Sequence, residues 1–187
     1  MARPRNEELK ERIARVAAQQ FAECGYDETS YTTIAEECGV SRNLVQYHWP
    51  KKDQLAIAYM QTVLDGCMRE LGYADRDLID DVQKVCRLGT RFFETLLAGT
   101  GTRMFLCDVL ASRDLTEGVL AFNIAWAIEH LHVSPTADKD AVTRVAIVRM
   151  GGFYELLYWC LKNDRPMDVD AELSAVVHAF ADAARGA

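Results

Sequence analysis

The chain has 187 residues, half of them apolar, and a formal net charge of −7 from 21 Lys and Arg against 28 Asp and Glu. That length suits one domain with a sizeable core, or a small domain fused to a medium one. No apolar run approaches the roughly 18 residues of a membrane span, and no apolar stretch follows the charged start MARPRNEELK, so neither a span nor a signal peptide is expected and the protein reads as cytoplasmic. Cys24, Cys38, Cys67, Cys86, Cys107 and Cys160 are scattered without a Cys-x-x-Cys pair, which favours reduced thiols over disulfides or a zinc site. Net acidity opposes nucleic-acid binding only if it is uniform. It is not: residues 1–60 carry 8 Lys or Arg against 9 Asp or Glu, and the remainder 13 against 19.

Residues 1–6 read as a polar arm in which Arg3 and Arg5 flank Pro4. Such an arm is usually a frayed end, but beside a DNA-reading element it can enter the minor groove. A helix follows over 7–24, with Leu9, Ile13, Val16, Ala17 and Phe21 at three- and four-residue spacing, and Gly25 ends it. Ser30 caps a second helix with Ile34 and Ala35 inward, and Gly39 stops it. Ser41 caps a third, which carries Arg42, Asn43, Gln46, Tyr47 and His48 outward while Leu44 or Val45 turns in. Arg can fork onto guanine, Asn and Gln onto adenine, and Tyr and His onto phosphate, so a helix-turn-helix is the natural hypothesis. The same pattern also suits two solvated helices of an ordinary bundle.

Pro50 opens a fourth helix, Asp53 favours its N-terminus, and apolar positions continue to about residue 71, longer than a compact DNA-binding unit needs. Further helices are expected over 77–97, 103–112 and 114–132. The glycines of 98–102 fit a helix–helix turn, since neither the Rossmann nor the Walker spacing is present. Glu129, His130 and His132 do not share a helix face, so no metal site is expected. The helix over 141–162 is apolar nearly all round with Gly151-Gly152 at its centre, which predicts close approach of another helix. With a final amphipathic helix from 169 it would build a symmetric four-helix dimer interface, or else the core of one subunit.

The capped Ser30, Ile34-Ala35, Gly39-Val40-Ser41, Tyr47-His48-Trp49 and Lys52-Asp53-Gln54-Leu55 together resemble the TetR-type bacterial transcriptional regulators over about the first 60 residues. Asn43 and Leu44, Gln46 and Trp49 depart from the family's usual choices, so no operator sequence transfers. The resemblance implies an all-α chain of about nine helices: a three-helix DNA-binding domain over 1–50, joined by a bridging helix to a helical ligand-binding and dimerisation domain over 51–187. It also implies DNA contacts at Ser30, Thr32, Arg42, Asn43, Gln46, Tyr47, His48 and Lys52. Expected partners are a palindromic double-stranded DNA operator, a second copy of the chain and a small-molecule inducer that releases a repressor. Pocket residues are expected among Tyr59, Val63, Phe92, Phe93, Met104, Cys107, Trp126 and Tyr158. The dimer interface is expected at Met150, Gly151, Gly152, Tyr154, Leu173, Val176, Val177 and Phe180. No catalytic pair, metal site or cofactor is expected, which disfavours an enzyme; the alternative is a dimeric helical adaptor that binds no specific DNA.

Overall fold

The computed structural model describes residues 3–74, 81–131 and 133–186, with side chains from Asn6 onward. Among them are nine helices: α1 (Arg3–Glu28), α2 (Tyr31–Cys38), α3 (Arg42–His48), α4 (Lys52–Glu70), α5 (Val82–Ala98), α6 (Thr100–Ala111), α7 (Arg113–His130), α8 (Lys139–Lys162) and α9 (Val169–Arg185). Several boundaries differ from expectation: α4 begins at Lys52, two residues beyond Pro50, α8 begins at Lys139 rather than 141, and α1 runs on to Glu28. α1 already begins at Arg3, where an arm was expected, although it is interrupted at Gly25. α6 begins at Thr100, so only Gly99 separates it from α5. The expected start of the fifth helix at residue 77 lies outside the described residues.

The chain packs as two compact units, one running to Val63 and including Thr95–Val109, the other comprising Leu64–Glu94 and everything from Leu110. The division falls inside α4, whereas the sequence places a boundary at residues 50 and 51. Tyr59 explains the shift: it packs on Phe21 and Phe105, with ring centres 5.9 and 4.9 Å away, so the first half of α4 belongs to the first unit's core.

In that unit Phe21 is fully buried, and Tyr26 stacks on it at 5.7 Å. α6 lies against α1 backbone to backbone. A Cβ on Gly101 would stand 2.2 Å from the Ala22 carbonyl oxygen and 2.5 Å from Glu23 backbone atoms, so only glycine fits. The glycine pair of 98–102 thus has two roles, a turn at Gly99 and a helix contact at Gly101.

In the second unit α8 runs along α9 and also packs on α7. Phe93 meets Phe153 edge-on at 4.9 Å. Asp138 and Asp168 cap α8 and α9 by accepting backbone N–H groups, which satisfies donors that a helix start leaves unpaired. No helix among the described residues is long and apolar enough to cross a membrane.

Candidate nucleic-acid interface

The reading element is built by short-range hydrogen bonds. The Thr33 N–H donates to the Ser30 hydroxyl at 3.1 Å, and the Ser30 N–H donates to the Thr33 hydroxyl at 3.1 Å, a reciprocal cap that fixes the start of α2. The Thr33 hydroxyl also donates to the Gln20 side chain at 2.8 Å, and the Gln20 amide donates to Glu37 at 2.8 Å, tying α2 to α1. Gly39 ends α2 with φ 63°, a conformation that side chains with a Cβ resist. Ser41 then caps α3 by accepting the Leu44 N–H at 3.3 Å.

Within α3, Val45 is the buried anchor, which decides between the two inward candidates; Leu44 is 36% exposed. Arg42, Asn43 and Gln46 are exposed and Tyr47 is 72% exposed. Trp49 closes the helix. Its indole N–H donates to the Lys10 carbonyl at 3.3 Å, and its own carbonyl accepts the Tyr31 hydroxyl at 2.6 Å, so one residue binds α1, α2 and α3 together.

A polar clamp holds the α1–α2 corner. The Lys52 ammonium donates to the carbonyls of Tyr26 and Thr29, both at 2.9 Å, and sits 3.8 Å from the centre of the Tyr26 ring. The Tyr26 hydroxyl donates to Asp53 at 2.8 Å. Asp108 of α6 accepts the N–H groups of Tyr26 at 3.0 Å and Asp27 at 3.2 Å. Burial pushes the Lys52 pKa down, and the carboxylates of Asp27, Asp108 and Asp53 resist that shift. Burial, followed by the hydrogen bond to Asp53, pushes Tyr26 well up and keeps it a neutral phenol.

These contacts redistribute the expected DNA-binding roles. Lys52, expected to meet phosphate, donates two of its three ammonium N–H groups to backbone carbonyls. Ser30 has its hydroxyl in the cap. His48 is half-buried against Tyr47, and its Nε2 is buried and makes no hydrogen bond with the described residues. The side chains of Arg3 and Arg5 lie outside the described residues, and their backbone is the first turn of α1 rather than an arm. Thr32, Arg42, Asn43, Gln46 and Tyr47 remain on exposed surface. Arg42 lies close enough to Tyr31 to oppose the rise in its phenol pKa that burial and Asp53 cause.

The second unit contains a cavity of about 100 Å³ that opens to solvent. Phe92, Phe93 and Trp126 of the expected pocket set line it. The other five do not: Tyr59 and Val63 belong to the first unit, as do Met104 and Cys107, while Tyr158 is a half-buried residue of α8. Most of the lining, including Val85, Leu88, Phe122 and Asn123, was missed because it looks like ordinary helix core in the sequence.

The expected interface set is also rearranged. Tyr154, Leu173, Val176, Val177 and Phe180 are buried inside their own subunit, and of these Leu173, Val176, Val177 and Phe180 line the cavity together with the half-buried Met150. The outward face of α8 carries Ile147, Val148 at 69% exposure, Leu156 and Trp159 at 54%. A Cβ on Gly151 or Gly152 would meet nothing within 4 Å, so no helix of the same subunit closes on them. His130 stacks on Trp126 at 4.5 Å, His132 lies outside the described residues, and no group of three metal-ligating side chains occurs among the described residues. The six cysteines form no disulfide with one another.

Residues 13–59 match the family model of the bacterial regulatory proteins of the tetR family. Over 181 residues, covering 91% of this chain and 80% of the relative, the chain is 24% identical to the HTH-type transcriptional activator FasR of Mycolicibacterium smegmatis. Over 71 residues, 38% of this chain and 25% of the relative, it is 30% identical to the uncharacterized HTH-type transcriptional regulator YerO of Bacillus subtilis. A tetR-family transcriptional regulator from Streptomyces coelicolor shares the fold with a TM-score of 0.55 at 20% identity, over 94% of this chain and 80% of that one. The chain therefore carries the N-terminal domain of the tetR family of bacterial regulatory proteins, and with it the fold of a TetR-type regulator.

Proposed function

We propose that this DNA-binding regulator is a homodimeric repressor that a small molecule releases from a palindromic operator. The observation that carries the reading is α3, pinned by Val45 and by Ser41, with Arg42, Asn43, Gln46 and Tyr47 exposed on one short helix. Arg42, Asn43 and Gln46 have the chemistry for base edges, and Thr32 and Tyr47 for phosphate. Anisotropy titrations against genomic fragments at several salt concentrations test it. A specific complex should form and weaken steeply with salt; weak, sequence-independent binding at every salt overturns it and favours a helical adaptor.

The second copy is expected on the outward face of α8. Val148, Gly152, Leu156 and Trp159 fall on one side of that helix, and an apolar strip of this kind is unusual on a monomer. Gly152→Leu should improve helix propensity by about 1 kcal/mol and leave the subunit folded, because its Cβ meets open space, while overfilling the interface. Sedimentation should then report monomers, and an unchanged dimer would remove the assignment.

Release by a ligand requires tighter binding to the conformation that does not fit the operator, a coupling of about 1–3 kcal/mol in typical cases. α4 is continuous through both units and is the proposed lever. The relative FasR is named an activator, which supports the opposite sign of control. A reporter fused to the bound promoter decides: deletion of the regulator should raise expression, and a fall would make it an activator.

A further inference from the structure

We propose that the cavity of the second unit takes an uncharged, largely apolar molecule with one hydrogen-bonding group, met by Asn123, and rejects ionised molecules of the same length. This rests on the reading of the protein as ligand-controlled and adds the class of ligand. Among the described residues that line the cavity none is charged. The walls are aliphatic and aromatic, with Val85 and Phe92 from α5, Phe122 and Trp126 from α7, Met150 from α8 and Phe180 from α9. The space of about 100 Å³ is several times what one water needs, and so exceeds an ordinary packing defect.

The Asn123 amide is the single side-chain amide among the described residues of the wall. Its N–H donates to the buried Tyr154 hydroxyl, which fixes the amide and leaves its carbonyl oxygen as an acceptor for a ligand hydroxyl or N–H. The phenol is held neutral by burial, so it supplies no charge to balance an ion. Two charged groups on the same helices are engaged away from the wall: Arg91 forks onto Glu70 at 2.8 and 3.1 Å, and Asp170 accepts the Thr90 hydroxyl at 2.9 Å. An ion entering the cavity would lose its water and gain no counter-charge, which is among the costliest transfers in a protein.

The test uses the full chain and N-phenylnaphthylamine, a neutral fluorophore that brightens in apolar sites, displaced by decanol, decanoate or decyltrimethylammonium at neutral pH, where both ions are charged. Decanol should displace the probe, with each ion weaker by roughly tenfold or more. The Ala127→Trp variant, which fills the cavity, should lose probe binding while keeping its helical circular dichroism; Ala146→Leu serves if that variant does not fold. Equal displacement by either ion overturns the charge exclusion and leaves a ligand site in place. A probe that fails to bind the parent chain, or that binds both filled variants undiminished, removes the cavity as a ligand site and the inference with it. Asn123→Leu combined with Tyr154→Phe removes both hydrogen-bonding partners and so leaves neither stranded. It should lose its preference for decanol over the decyl methyl ether, read as the ratio of the two displacement constants; a retained preference overturns the role of Asn123.

Discussion

The two units are stabilised by different means. The first is knit by side chains that reach backbone or other polar groups across elements: Lys52 to two carbonyls, Asp108 to two N–H groups, Trp49 to Lys10 and Tyr31, Thr33 to Gln20. The second relies on long helices with apolar faces, and it leaves a cavity among them. Hydrogen bonds are directional and fix geometry, whereas apolar contacts set volume and tolerate rearrangement. A reading head needs its side chains held in place, and a sensor needs space that a ligand can fill.

The largest expected effect tests packing. Phe21→Ala should destabilise by about 3–5 kcal/mol in urea unfolding, since the site is fully buried and ringed by Tyr26, Tyr59 and Phe105. Phe122→Ala, in the half-buried wall of an existing cavity, should cost about 1–2 kcal/mol, and equal losses would erase the contrast between the units. Next comes Gly101→Ala. Its methyl would overlap the Ala22 carbonyl, so a loss of about 2–3 kcal/mol is expected despite the gain in helix propensity, and a more stable variant would show that α1 and α6 are not packed so closely.

Lys52→Met keeps the aliphatic stem and strands two carbonyls, and should lower stability by about 1–2 kcal/mol. Tyr47→Ala should instead leave melting unchanged and weaken operator binding. If Lys52→Met lost DNA affinity with no change in melting, Lys52 would be a phosphate contact after all.

The gentlest effect is with pH. Burial raises the pKa of Tyr26, Tyr31, Tyr59 and Cys38 in the first unit, and of Tyr154 and Cys86 in the second. The folded chain holds these protons more tightly than the unfolded chain, so their stabilisation is intact at neutral pH. It falls as pH rises past the ordinary thiol value of 9.0 and phenol value of 10.0. Lys52, with a lowered pKa, acts in the opposite direction. Melting followed between neutral pH and about pH 11 should show the first unit losing more stability, because it holds more of the raised groups. Equal loss in both units would blur the distinction.

All nine helices were legible in the sequence because each has its own local signals. Ser30, Gly39 and Ser41 announce α2 and α3 through caps whose chemistry involves only neighbouring residues, and the Ile13, Val16, Ala17 and Phe21 stripe shows α1 by spacing alone. The exposed Arg42, Asn43, Gln46 and Tyr47 followed from α3's short length and single anchor. What the tertiary structure decided is the use of groups that have more than one option. That a lysine at position 52 also caps a corner depended on where Tyr26 and Thr29 present their carbonyls, twenty-odd residues away. α8 is apolar almost all round, so periodicity gives it no preferred inner face. Its packing with α7 and α9 turned Phe153, Tyr154 and Leu157 inward and left Val148, Gly152 and Trp159 outside. The cavity was illegible for a related reason: a wall residue and a core residue have the same side chains, and the difference is only whether neighbouring helices come close enough to fill the space between them.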